Sequence, residues 1–151
     1  MDTGSQTYSN INVTSIADYS IKLKEVEEGK KALDKAANLY SRAFRAPFGA
    51  TDQDIYSLLS RAGIMADFSY KNQYNVYHNG QFVKYDAVSY EGRDYSPDFF
   101  LTLPNTTVPI IIFFDDTDSI SGIEAFLSGI KKSNFEFVNA SDLAGFILTT
   151  R

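Results

Sequence analysis

Apolar and aromatic side chains recur at Ile16, Tyr19, Leu23, Val26, Leu33, Ala37, Tyr40 and Phe44, spaced by three or four residues except for one gap of seven between Val26 and Leu33. This rhythm predicts one long amphipathic helix, read as lying across a sheet rather than as a coiled-coil seam. Lys30 is the one polar residue on the stripe. It is expected to bury its stem at the core edge and keep its ammonium in water. Ser15 and Asp18 stand where a helix start needs side-chain acceptors. Pro47 and Gly49 read as the stop. Gly29 lies inside and costs about 1 kcal/mol relative to Ala. A second helix follows from Ile55, Leu58, Leu59 and Ala62, with Thr51 or Asp52 as cap and Gly63 as terminator. The short link from Ala46 to Ala50 then joins the two as a helical hairpin or corner.

From Asp67 the period falls to two. Tyr74 to His78 and Gln81 to Tyr85 flank Asn79-Gly80, a dipeptide that accepts the positive φ angles of a two-residue hairpin turn. Ala87 to Tyr90 reads as a continuation of the second strand, and Asp98 to Leu103 as a further strand. Val108 to Phe114 is continuously apolar and predicts a central strand buried on both faces. Ile123, Phe126, Leu127 and Ile130 give a third helix, for which Ser121 and Glu124 have capping-box spacing. Lys131 and Lys132 complement its dipole. Phe135–Asn139 and Gly145–Thr150 read as closing strands, which permits one parallel crossover near the C-terminus. The expected fold class is α+β: two N-terminal helices packed on a mixed, mostly antiparallel sheet with one βαβ-like crossover near the C-terminus. Residues 1–14 are polar and read as a flexible arm or short edge strand, and residues 15–151 as a single α+β domain.

Composition narrows the function classes. The 151 residues contain no cysteine, which excludes a disulfide framework and thiolate metal sites. No secretion signal is recognisable, and the longest apolar run is too short for a bilayer helix. A cytoplasmic or particle-associated chain with no membrane contact is therefore expected. Without a secretion signal, the sequons at Asn12, Asn105 and Asn139 are read as chance. The net charge of −5 argues against a nucleic-acid partner. Between Lys22 and Arg45, seven Lys/Arg stand against four Asp/Glu, which is read as the solvated face of a helix. His78 is the only histidine and offers no dyad and no metal set.

Two features carry candidate chemistry. After the apolar run, Asp115, Asp116 and Asp118 put three carboxylates within four residues. Such a strand end can present oxygen ligands to Mg²⁺, the alternative to having no cofactor. The string Asp115-Asp116-Thr117-Asp118-Ser119 resembles the acidic motif of archaeal tRNA-modifying enzymes of the agmatinylcytidine synthetase type. It also resembles the strand-end Asp-x-Asp of haloacid-dehalogenase-like phosphatases. In both families the motif opens the domain, whereas here it follows position 110, so neither is assigned. The preferred reading is local, with these residues capping the third helix.

The second feature is an aromatic band. Ten Phe/Tyr lie between Asp67 and Phe100, among five acids and three bases. On an alternating hairpin only one face enters the core. Tyr74, Tyr77, Phe82, Tyr85, Tyr90 and Tyr95 are therefore the candidate partner-binding set. With no catalytic set evident, the sequence reads as a non-enzymatic protein-interaction or assembly subunit bound to itself or to a larger complex, such as a virion component. A Mg²⁺-dependent enzyme acting on a phosphorylated substrate through the three aspartates, and a small acidic inhibitor protein, are the alternatives.

Overall fold

The computed structural model describes residues 4–104, 106–114, 117–131, 135–139 and 142–143. The α+β class and the mixed sheet stand. The chain divides into two compact units: one of residues 1–70, 74–85 and 138–151, the other of 71–73 and 86–137.

The first unit opens with strand β1, Gly4–Ser5, inside the segment read as an arm. After a 3-10 turn capped by Asn12, helix α1 runs Tyr19–Ala37. Asp18 caps it, accepting from the Ser20 amide. The helix ends earlier than the stripe predicts because Asn38 adopts the left-handed conformation, φ 51°, a C-terminal stop that Asn tolerates. Tyr40 and Phe44 thus leave the helical stripe, and Ala43–Phe44 form strand β2. Pro47 and Gly49 do not end a helix; they build a 3-10 turn beyond β2. Helix α2, Ile55–Arg61, follows, and Gly63 at φ 73° turns the chain into strand β3, Ala66–Asp67. The expected helical hairpin is therefore interrupted by a strand.

Strands β4, Gln73–His78, and β5, Gln81–Asp86, form the hairpin at Asn79-Gly80, whose φ angles are 49° and 88°. The five strands order as β1-β2-β3-β4-β5. β1, β2 and β3 are parallel, in register Gly4↔Ala43↔Ala66, and β4 runs antiparallel to β3 with Ala66 opposite Val76. α1 and α2 are the crossovers between the parallel strands. Two-residue strands cannot display a period of two, so these parallel ladders were not legible. The core comprises Val13, Val26, Phe44, Ala46, Ile55, Leu58, Leu59 and Ile64, all essentially inaccessible to solvent. Each large aliphatic member contributes about 1.5–3 kcal/mol by leaving water.

Lys30 departs from expectation. It is buried, its ammonium pairs with Asp34, and it lies 3.6 Å from the Tyr40 ring centroid. Burial raises the Asp34 carboxyl pKa, but Lys30 and the Ser41 hydroxyl and amide outweigh it and leave it below the usual carboxylate value. Lys22, two turns earlier on the same face, is likewise buried and pairs with Asp52 and Asp54.

In the second unit, Val88–Glu91 is a separate strand, β6, instead of an extension of β5. It pairs in parallel with β7, Ile110–Phe113, in register Val88↔Ile110. The run read as a central strand is thus half-buried in a two-stranded sheet among the described residues. Helix α3, Pro97–Leu101, stands where a strand was expected. Proline at the first helical position, followed by Asp98, is a helix start that outweighs the β-propensity of Phe99 and Phe100. Helix α4, Ile120–Ile130, is capped by the Ser119 hydroxyl accepting from Gly122 N–H at 3.1 Å, not by a Ser121–Glu124 box. Phe100, Phe126 and Ile130 form the local core, with edge-on contacts between Phe126 and both Phe100 and Phe114. Residues 135–139 are not a strand, and Lys132 and the strand expected at 145–150 lie outside the described residues.

Candidate functional site at the carboxyl rim of three parallel strands

Parallel strands end together, and loops leaving their carboxyl ends are where open α/β sheets place ligand groups. In the first unit that rim is built by the segments after β1, β2 and β3. Ser5 ends β1, Arg45 directly follows β2, and Asp67 ends β3. Arg45 donates its backbone N–H to Ser5 O at 3.0 Å, and Phe68 N–H reaches Phe44 O at 2.8 Å, so the three exits are laced by main chain.

Asp67 is the electrostatic centre of this rim. It is 0% exposed. Its Oδ1 accepts from the Ser69 amide at 3.0 Å and from the Ser69 hydroxyl, while Ser69 Oγ accepts from the Ala46 amide at 2.8 Å. This relay clips the loop after β2 to the loop after β3. Asp67 Oδ2 is buried without a hydrogen bond, as is the Nδ2 of Asn75, its partner across the β3–β4 ladder. Burial pushes the Asp67 carboxyl above the usual range; the Ser69 hydroxyl and amide, then Asn75, pull it only part of the way back. The Tyr56 hydroxyl is pushed up by burial first, then by the Asp67 charge and by Tyr70. The Tyr70 hydroxyl bonds Thr51 Oγ1. Asp67, Tyr56, Tyr70 and Thr51 therefore make a rim of one carboxyl and three hydroxyls.

Against this clip stands a strained turn. Phe48 has φ 61° and ψ 10°, a left-handed conformation that costs a bulky L-residue about 1–2 kcal/mol. Its ring is 81% exposed. The turn is enforced by Gly49 N–H to Ala46 O at 3.0 Å and Ala50 N–H to Pro47 O at 3.1 Å. Gly49, at φ 64°, has no room for a side chain: a Cβ there would stand 2.9 Å from Ser69 O. A backbone outlier held this firmly at a strand end marks a site worth a functional reading.

None of these residues was singled out in the sequence as functional; Thr51 was read as a helix cap and Gly49 as a helix stop. The available signal was a repeat of pattern, in which a helix is followed by a short apolar run that ends on a charged residue. It occurs at Ala43-Phe44-Arg45 and again at Met65-Ala66-Asp67.

The residues that were singled out are placed otherwise. Asp115 and Asp116 lie outside the described residues, and Asp118 sits in the turn before α4, whose cap is Ser119. Among the described residues no three His, Cys, Asp or Glu side chains converge for a metal ion. His78 Nε2 lies 3.0 Å from Asn79 Nδ2 at the hairpin tip. Much of the aromatic band is satisfied internally. Tyr74 is buried and stacks between Phe68 and Tyr85, with centroids 5.9 and 5.6 Å away. Tyr77 meets Phe82 edge-on, and Phe82 stacks on Tyr56 at 4.8 Å. In the second unit Tyr90 is ringed by Tyr95, Phe99 and Phe100. Of the six candidate partner-binding rings, only Tyr95 counts as exposed. No helix among the described residues is long and apolar enough to cross a membrane.

No protein-family model and no curated protein matches the chain. Among solved structures it is similar to a family 4 carbohydrate esterase from Streptomyces lividans in complex with acetate, with a TM-score of 0.53 at 15% identity. The likeness covers 87% of this chain, which spans 59% of that structure's chain. It is a likeness of fold. The structure that shares this fold is an esterase, and this likeness runs against the expectation of a non-enzymatic interaction or assembly subunit. The aromatic band that prompted that expectation turns out to be largely spent on packing within the chain.

Proposed function

We propose that the chain is a hydrolase acting on acyl esters of a carbohydrate, with its site on the carboxyl rim of β1, β2 and β3. The observation that carries this reading is the clip from Asp67 through Ser69 to the Ala46 amide, which fixes the strained turn that follows Arg45. The fold likeness to a carbohydrate esterase supports the substrate class.

In ester hydrolysis, water adds to the carbonyl carbon and negative charge gathers on the carbonyl oxygen. The bond from that carbon to the sugar oxygen then breaks, the departing sugar oxygen takes the proton given up by the added water and becomes a hydroxyl, and the carboxylic acid is released. The rim has groups suited to these needs. Arg45 directly follows β2, and a guanidinium turned to the strand end from there would favour the developing oxyanion. Tyr70 and Thr51 offer hydroxyls to the sugar. Asp67, buried and out of reach of substrate, is a positioning residue for the Arg45 loop.

The test is acetate release from an O-acetylated xylo-oligosaccharide. The unaltered chain should release acetate. Arg45→Met should lower kcat about a hundredfold, and Asp67→Ala should lower it by releasing the loop. No acetate above the uncatalysed rate, or an Arg45→Met variant as active as the unaltered chain, would sink the reading.

A further inference from the structure

We propose that Phe48 is a stacking platform for one pyranose ring, which makes the rim selective for sugar chains whose rings carry equatorial hydroxyls. This rests on the carbohydrate reading above and deepens it by naming the part of the substrate that the turn recognises.

Phe48 is the most exposed large apolar side chain among the described residues. An exposed ring is ordinarily free to fold back onto its own loop. Here the backbone is fixed on both sides, by Pro47 at the first position of the 3-10 turn and by Gly49 wedged against Ser69 O. The Ala46 amide is tied to Ser69 Oγ, so the turn cannot relax without breaking the Asp67 clip. The ring is thus presented on a rigid base, and strain is tolerated at a bulky residue where Gly or Asn would sit without cost.

The size and surroundings of the apolar surface select the occupant. In this turn Ala46 and Pro47 are buried and Gly49 and Ala50 half-buried, so the exposed apolar surface is essentially one ring. A protein partner needs a contact of about 1,000 Å² or more. One aromatic face instead matches one sugar ring. A pyranose with equatorial hydroxyls directs its axial C–H bonds at each face, and these weakly positive hydrogens suit the negative face of a phenyl ring. Thr51 and Tyr70 place hydroxyls on the same rim, and apolar surface with a few polar groups is the make-up of a small-ligand site.

The absence of tryptophan from the sequence supplies the probe. Phe48→Trp introduces a single indole at the proposed contact. Titration with xylohexaose should change its emission saturably. Calorimetry should show xylohexaose binding to the unaltered chain and weakening about three- to tenfold in Phe48→Asn, which keeps the left-handed backbone and removes the ring. The proposal is overturned if the emission of Phe48→Trp is unmoved, or if Phe48→Asn binds xylohexaose as tightly as the unaltered chain does. Acetate release, measured alongside, separates the two claims. Hydrolysis with an unresponsive Phe48→Trp sinks the platform and leaves the hydrolase. A saturable response without hydrolysis sinks the hydrolase and leaves a sugar-binding turn.

Discussion

At the scale of single residues, the structure puts its electrostatic cost at Asp67 and recovers electrostatic stability at Lys30. The Asp67 pKa is higher folded than unfolded, so the native state holds a proton that the unfolded chain has already lost. Stability is therefore lost as pH rises from the unfolded value of 3.8 toward the raised native one, and stays lost above it. Asp67→Asn retains an oxygen for Ser69 and removes the charge. Its melting temperature should exceed that of the native chain at pH 7, with the gap narrowing toward pH 4; a gap that is constant or reversed would contradict this. Asp34, held below the usual carboxylate value beside Lys30, works in the opposite sense. Lys30→Leu leaves the largely buried Asp34 without its cation and should cost about 2–4 kcal/mol by urea denaturation. Adding Asp34→Leu should recover part of that loss, because the pair and not the lysine alone is what the site is built around. The sequence showed Lys30 on an apolar stripe and the reading took its ammonium to be wet. Asp34, one turn on, was the visible clue, but Tyr40, which covers the ammonium, reaches it only because the helix stops at Ala37.

At the scale of elements, close backbone approach decides what helix propensity does not. Gly29 in α1 costs helix stability in isolation, yet a Cβ there would meet the Gln6 carbonyl oxygen and come within 2.8 Å of Thr7 C and Tyr8 N. The helix lies on the main chain leaving β1, and Tyr8 N–H bonds Glu25 O at 2.8 Å. Gly29→Ala should therefore destabilise by about 1–3 kcal/mol despite the better propensity of alanine. A stabilised variant in thermal denaturation would mean that the helix and the β1 exit are not packed this closely. Ser119→Ala removes the cap of α4 and should cost about 1 kcal/mol, whereas Ser121→Ala should cost almost nothing. The hairpin at Asn79-Gly80 and the apolar stripe of α4 were readable because several residues repeat one signal. Strands β1, β2 and β3 were not, since two residues carry no alternation, and the site they build stayed hidden with them.

For the whole molecule, the sequence conveyed the class of fold but not the order of its layers. The helical stripe absorbed Phe44 by coincidence of spacing, and that one assignment concealed β2, the parallel ladder and the rim after it. The tyrosines of the hairpin also stack on one another: Tyr74, itself buried, lies between Phe68 and Tyr85. That stack has an optical consequence. The Tyr74 hydroxyl is pushed up to about 12, first by burial and then by Tyr85. The native sheet must therefore lose stability as pH climbs from 10 toward 12, where the unfolded chain sheds this proton and the folded one does not. Followed by phenolate absorbance in alkali, a tyrosine outside the stack should ionise first and reversibly. Tyr74 and Tyr56 should ionise late and in step with loss of the far-ultraviolet dichroism, so that their colour change times the opening of the sheet.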